Sequence, residues 1–380
     1  MTRRSELDVL RGFMLVMITI THLPTVFSEK FSQPFGFVSA AEGFVFLSAF
    51  LTGVVYSGIA HKDGLSAMRK ALWRRASKIY MAQAGMLLFL FTIIAAIGIS
   101  AQRPAIKNLI SFYLSDPATA LWTGFALIYN PPLLDILPMY VLFMLVSPLA
   151  LSIALRRGWA PILLASAAVW AGAQFGLGRL LYSALVAATH LKVPLQETGS
   201  FELVAWQFLW VVGLWLGCSS TSEREHPLEF PRWLLLCAFS LAAWAFVWRH
   251  AVGQLPFGEH NIYNALFDKW QLAPLRLANF LALLILIVRF GPRLARFARL
   301  PFLEVMGRAS LSVFCTQLVI ALLALAALGD RRATTPIWAQ VLLLAATFAA
   351  LYAVAAMVDG AKGRRRARVV AASTAAAGAV

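Results

Sequence analysis

The sequence predicts an all-α, polytopic membrane protein of about ten transmembrane helices, with both termini cytoplasmic. Three observations predict it. First, 60% of the 380 residues are hydrophobic and only 13% are charged, whereas a soluble domain is roughly 45–50% apolar. Second, apolar runs of membrane-crossing length, about 20 residues each, recur along the chain with short polar connections. Third, about 21 Lys and Arg fall in alternate connections and the ends, against about 10 in the others. The positive-inside rule places the richer set in the cytosol. That placement also accounts for the net charge of +16 without nucleic acid.

Taken in order, span one covers Val9–Val26 and span two Phe35–Ile59, with Pro24 and Pro34 in the loop between them. A basic linker, 61–78, leads to span three, Ile79–Ile99. A long loop, 101–132, holds a short interfacial helix at Ile106–Leu114 and breaks at Pro131-Pro132. Span four is Leu133–Leu155, and the turn Arg156-Arg157-Gly158 leads to span five, Trp159–Leu177. A polar stretch, 178–200, precedes span six at Phe201–Cys218. Span seven is Trp233–Val252, and the loop Gly253–Gln271 leads to span eight, Leu272–Arg289. Span nine is Val305–Leu328, and span ten, after the loop Asp330–Thr335, is Pro336–Val358. Residues 1–358 read as one domain and 359–380 as a basic, then Ala-rich cytoplasmic tail, expected to be disordered. Asp8 and Arg11 interrupt the first apolar run, so a cleavable signal peptide is not expected.

Ionisable groups inside spans are expensive and point to function. Span one carries Asp8, Arg11 and His22, and span two carries Glu42. Arg11 and His22 are separated along a helix by roughly 16 Å, half of a 30 Å hydrocarbon core. Counted from the loop joining the two spans, His22 and Glu42 come to similar depth on neighbouring helices. A carboxylate beside a histidine holds one tautomer and stabilises the protonated ring, so His22, Glu42 and Arg11 form a candidate catalytic set; the alternative is that His22 bonds a backbone group and Glu42 pairs with an interior cation. Asp8 and Arg11 are spaced to pair on one face at the cytoplasmic boundary. Arg74, Arg75 and Lys78 open span three and suit the phosphates of a cytosolic anionic cosubstrate. Asp135, Lys269 and Arg276 lie at outward span ends and, with Trp206, Gln207 and Asp8, make the candidate acceptor and acyl cavity.

Other chemistries find no support. Cys218, Cys237 and Cys315 read as packing residues, no metal-ligand spacing is present, and the Walker A, GxSxG, HExxH and Rossmann fingerprints are missing.

Arg11 and His22 match the Arg-x10-His motif of the membrane acyltransferase-3 superfamily, and Glu6-Leu-Asp-Val-Leu-Arg-Gly12 resembles its opening. More narrowly, the chain resembles the OpgC family, proposed succinyltransferases of osmoregulated periplasmic glucans. The stretches that carry this are Ala41-Glu-Gly-Phe-Val-Phe-Leu-Ser48, Asp135-Ile-Leu-Pro-Met-Tyr140, Ala205-Trp-Gln-Phe208, Asp268-Lys269 with Arg276, and Gly307-Arg-Ala-Ser-Leu311. The resemblance implies a multi-pass bacterial inner-membrane enzyme. It would carry an acyl group, succinyl by preference, from cytosolic acyl-CoA to a hydroxyl of a periplasmic glucan or other glycan, with no bound cofactor. It implies His22 as the catalytic residue and the basic motif of span three as the donor-phosphate site. Two departures stand out. The superfamily's Arg-x-x-Arg is here Arg75-Ala-Ser-Lys78, and a histidine common in span nine is here Gln317. On this reading His22 acts as general base oriented by Glu42, or forms an acyl-histidine. Gln207 or a cation faces the oxyanion, and Arg276 or Lys269 holds a succinyl carboxylate. The competing expectation is an exporter of an anionic metabolite or glycan, which the lack of an internal repeat disfavours.

Overall fold

The structure, a computed structural model, describes residues 5–221, 230–258, 261–297, 300–329 and 334–377; parts of the loops at 219–232 and 330–335, with Arg3, Arg4, His226 and His260, lie outside them. Among the described residues there is no strand. Seven helices among the described residues are long and apolar enough to cross a membrane, or eight if one bent pair counts as a span. This supports a multi-pass all-α architecture with fewer clear spans than about ten. The difference has local causes. Helix α1, Ser5–His22, includes Glu6, Asp8 and Arg11 and is too charged to pass as a plain apolar span. Helix α2, Ala40–Phe89, runs spans two and three together, broken only at Gly64, whose φ of 86° is non-helical. Glycine meets no Cβ penalty there.

The remaining long helices are α3, Ile136–Arg157; α4, Ala160–Gln174; α5, Leu177–Thr189; α6, Leu203–Ser219; α7, Arg232–Val252; and α8, Pro274–Phe297. They are followed by α9, Pro301–Arg308; α10, Ser310–Leu328; and α11, Ile337–Ala377. Helix α5 corrects the reading of 178–200 as a polar loop: it is bent by 83° from α4 across Phe175-Gly176. The loop at 101–132 contains three short helices rather than one, Pro104–Leu109, Ser111–Ser115 and Pro117–Phe125. Helix α11 continues to Ala377, so the tail expected to be disordered is helical over most of its length.

Two close helix contacts position the site. A Cβ on Gly307 would sit 1.8 Å from the Asp8 carbonyl oxygen, and one on Gly12 would sit 2.0 Å from that of Leu303. Small residues let backbones approach in this way, and α9 grips the N-terminal half of α1. Gly217 does the same for α6 against α2, 2.0 Å from the Phe50 carbonyl oxygen. Each added methyl must move backbone, and such overpacking costs about 1–3 kcal/mol. Gly217→Ala and Gly307→Ala should each lower the thermal midpoint of the purified protein. Gly85→Ala, where nothing lies within 4 Å of the added carbon, should leave it unchanged or raise it.

Candidate active site

His22 is the last residue of α1, not a residue a turn inside it, because the chain turns at Leu23-Pro24-Thr25. A cavity of about 80 Å³ opens beside it, and Thr21, His22, Ser39, Asp135, Phe201 and Lys269 are among its lining residues. Phe314 also lines it and stacks on Phe44, with ring centroids 5.7 Å apart. The cavity thus gathers His22, Asp135 and Lys269 from three distant parts of the sequence.

The partner expected for His22 lies elsewhere. Helix α2 begins at Ala40, not Phe35, which makes Glu42 its third residue. Ser39 and Glu42 form a capping box, the Ser-x-x-Glu arrangement that satisfies free N–H groups at a helix start. Glu42 Oε2 accepts from the Ser39 N–H at 3.0 Å and from the Ser39 hydroxyl at 2.5 Å. Its Oε1 pairs with Arg276 Nη1 at 2.6 Å, and both side chains are buried, at 0% and 2% exposure. Glu42 therefore supports the cavity wall through Ser39. Gln317 of α10 instead reaches the His22 ring, its carboxamide nitrogen 3.2 Å from Nδ1.

Arg276 is likewise not a free cation. Its Nε donates to the Phe267 carbonyl at 3.2 Å, immediately before Asp268-Lys269. The segment that carries Lys269 is pinned from several sides. Asp268 Oδ1 accepts from the N–H groups of Trp270 and Gln271. Trp206 Nε1 donates to the Trp270 carbonyl at 3.0 Å, and Trp170 Nε1 donates to the Leu272 carbonyl at 3.0 Å. Trp206 is thus a buttress for this loop rather than a cavity residue. Lys269 lies over the rings of Trp270 and Phe201, at 4.6 and 5.8 Å. Among the described residues no carboxylate lies within ion-pair distance of it. Burial pulls its ammonium below the ordinary lysine range, and the carboxylate of Glu42 opposes that shift.

The other expected residues are engaged or lie elsewhere. Asp135 lines the cavity, but its Oδ2 is engaged by the Ser200 N–H at 3.1 Å. Gln207 faces α4: its carboxamide accepts from the Ser166 hydroxyl at 2.6 Å and donates to the Ser166 carbonyl at 2.9 Å. That geometry overturns its expected place at the oxyanion. Asp8 is buried against α9, roughly 21 Å along α1 from His22 at 1.5 Å per residue, and does not line the cavity. Arg11 Nη2 donates to the Ser310 hydroxyl, across to α10. Arg74 and Lys78 are exposed and Arg75 is half-buried, all on the arm of α2 after Gly64. Sequence reasoning missed Ser39 and Ser310. Ser39 carried a legible signal in its spacing to Glu42; Ser310 lies in the stretch Gly307–Leu311 that carries the resemblance, but no spacing linked it to Arg11.

A bundle of apolar helices with a polar cavity beside His22 defines the class, a multi-pass membrane protein. The family of the OpgC protein matches residues 3–363, and the chain belongs to that family. Membership points to a membrane acyltransferase acting on glucans. No curated protein and no solved structure matches the chain.

Removing one member of a buried ion pair costs about 3–5 kcal/mol, whereas replacing both with apolar residues is often neutral. Glu42→Ala should therefore lower the thermal midpoint more than the double substitution Glu42→Met with Arg276→Met. Thermal unfolding in detergent checks the order, and an equal loss in both would assign the effect to packing alone.

Proposed function

We propose that this protein is an acyl-CoA-dependent O-acyltransferase of the bacterial inner membrane. It would transfer an acyl group, succinyl by preference, from the cytosolic thioester to a hydroxyl of a periplasmic glucan or related glycan. The single observation that carries this reading is the cavity lined by both His22 and Lys269, with Arg11 half a membrane away on the same helix. A donor on one side and an acceptor on the other require a reacting group reachable across the bilayer, and α1 has an ionisable group at each level, Arg11 and His22.

In this reading the acceptor hydroxyl enters the cavity and His22 Nε2 takes its proton as general base. The oxygen attacks the thioester carbonyl, the carbon–sulfur bond breaks, and the departing thiolate takes the proton back from Nε2. Coenzyme A phosphates would lie near Arg74, Arg75 and Lys78, held by charge with the fork geometry of arginine at two of the three positions. Lys269 would hold the free carboxylate of a succinyl group. It is preferred over Arg276, which Glu42 and the Phe267 carbonyl already occupy.

Membranes supplied with labelled succinyl-CoA and glucan should acylate the glucan, and His22→Ala should abolish transfer. Undiminished labelling by that variant would overturn the reading, and glycan accumulation without any change in substituents would indicate an exporter instead. Lys269→Met should reduce succinyl transfer about 10- to 100-fold, the loss of one charge-assisted hydrogen bond, and should spare acetyl transfer. Equal loss of both donors would remove Lys269 from acyl recognition.

A further inference from the structure

We propose that Gln317 is the positioning residue that sets the tautomer of His22, as a neutral partner where a carboxylate was expected. The proposal rests on the acyltransferase reading above. Gln317 is buried, at 1% exposure, and its carboxamide meets Nδ1 of the ring at 3.2 Å. Its Oε1 is buried without a hydrogen-bond partner. Nε2 of His22 has no hydrogen bond to the described residues and is not among the buried polar atoms left without a partner, so the cavity is open to it.

The two ends of a carboxamide select opposite tautomers. An N–H facing Nδ1 forces the ring proton onto Nε2, which then only donates into the cavity. A half-turn of the carboxamide brings Oε1 to Nδ1, provides the partner that Oε1 lacks, and fixes the proton on Nδ1. Nε2 is then the basic lone pair facing the acceptor hydroxyl. Other charged groups near the ring do not take over this role. Lys269 and Asp135 line the same cavity without a hydrogen bond to Nδ1, and Glu42 is engaged by Ser39 and Arg276. With the amide oxygen at Nδ1 the ring keeps its Nδ1 proton, and the proton taken from the hydroxyl is held on Nε2 until the departing thiolate takes it.

Gln317→Met keeps the length of the side chain and removes the hydrogen bond. It should lower kcat about 10- to 100-fold, the scale of one buried hydrogen bond lost, with KM for acyl-CoA within about twofold. Gln317→Glu keeps an acceptor toward Nδ1 and should retain kcat within about threefold. Wild-type kcat in a folded Gln317→Met protein would overturn the proposal, as would loss of activity in a folded Gln317→Glu protein. Thermal unfolding reports the fold of each variant. Should the Met variant not fold, Gln317→Asn, which withdraws the amide by one carbon, should show the same kcat loss, and wild-type kcat there would overturn the proposal equally. His22→Ala separates the two readings: if it is active the base assignment fails, whereas if it is inactive and Gln317→Met is not impaired, only the role of Gln317 fails.

Discussion

The ion pair between Glu42 and Arg276 is the constraint on which the site depends. Two charges removed from water offset their desolvation only with good geometry and further hydrogen bonds. Here both conditions hold: the pair is short, Ser39 provides two donors to the carboxylate, and the Phe267 carbonyl accepts from the guanidinium. The pair therefore fixes two segments against each other, the start of α2 and the loop that enters α8. Ser39 and Lys269, which line one cavity, are set in register by a contact that does not itself face the cavity.

The pins on the loop around Lys269 extend the same logic. A lysine ammonium on a flexible stem loses much rotamer freedom when it is held, and an exposed loop would leave it mobile. Hydrogen bonds from Arg276, Trp206 and Trp170 hold the backbone, and the rings of Trp270 and Phe201 flank the side chain. Trp206, which by position alone suits an ordinary interfacial belt, gains a more specific task. Its indole N–H, like that of Trp170, is committed to one carbonyl of this loop.

Much of this was legible in the sequence, and the rest was not for identifiable reasons. Among the described residues, hydropathy located the helices long and apolar enough to cross, because burial in a bilayer demands apolar length. It did not locate helix ends: the apolar run from Phe35 hid the Ser39–Glu42 cap, and the depth match between His22 and Glu42 rested on that misplaced start. Helix α5 was missed because Arg179, His190 and Lys192 made its stretch look like loop. Arg11 and His22 do lie on one continuous helix, so their separation along it follows from helical rise alone. Partners across the fold, such as Ser310 for Arg11 and Gln317 for His22, are set by which helices meet, and no local spacing encodes that.

Charge balance in the cavity bears most directly on what it accommodates. Lys269 is partly stripped of water and, among the described residues, has no carboxylate at ion-pair distance, so on the proposed reading the ligand itself supplies the counter-charge. A neutral acyl group would leave the ammonium desolvated and unpaired, a cost incurred at binding. Sites built around a polar partner discriminate most strongly in this way, by what happens to the site when the partner is missing. Selectivity for an anionic acyl group then comes less from the attraction that Lys269 offers than from the cost of leaving it alone beside His22.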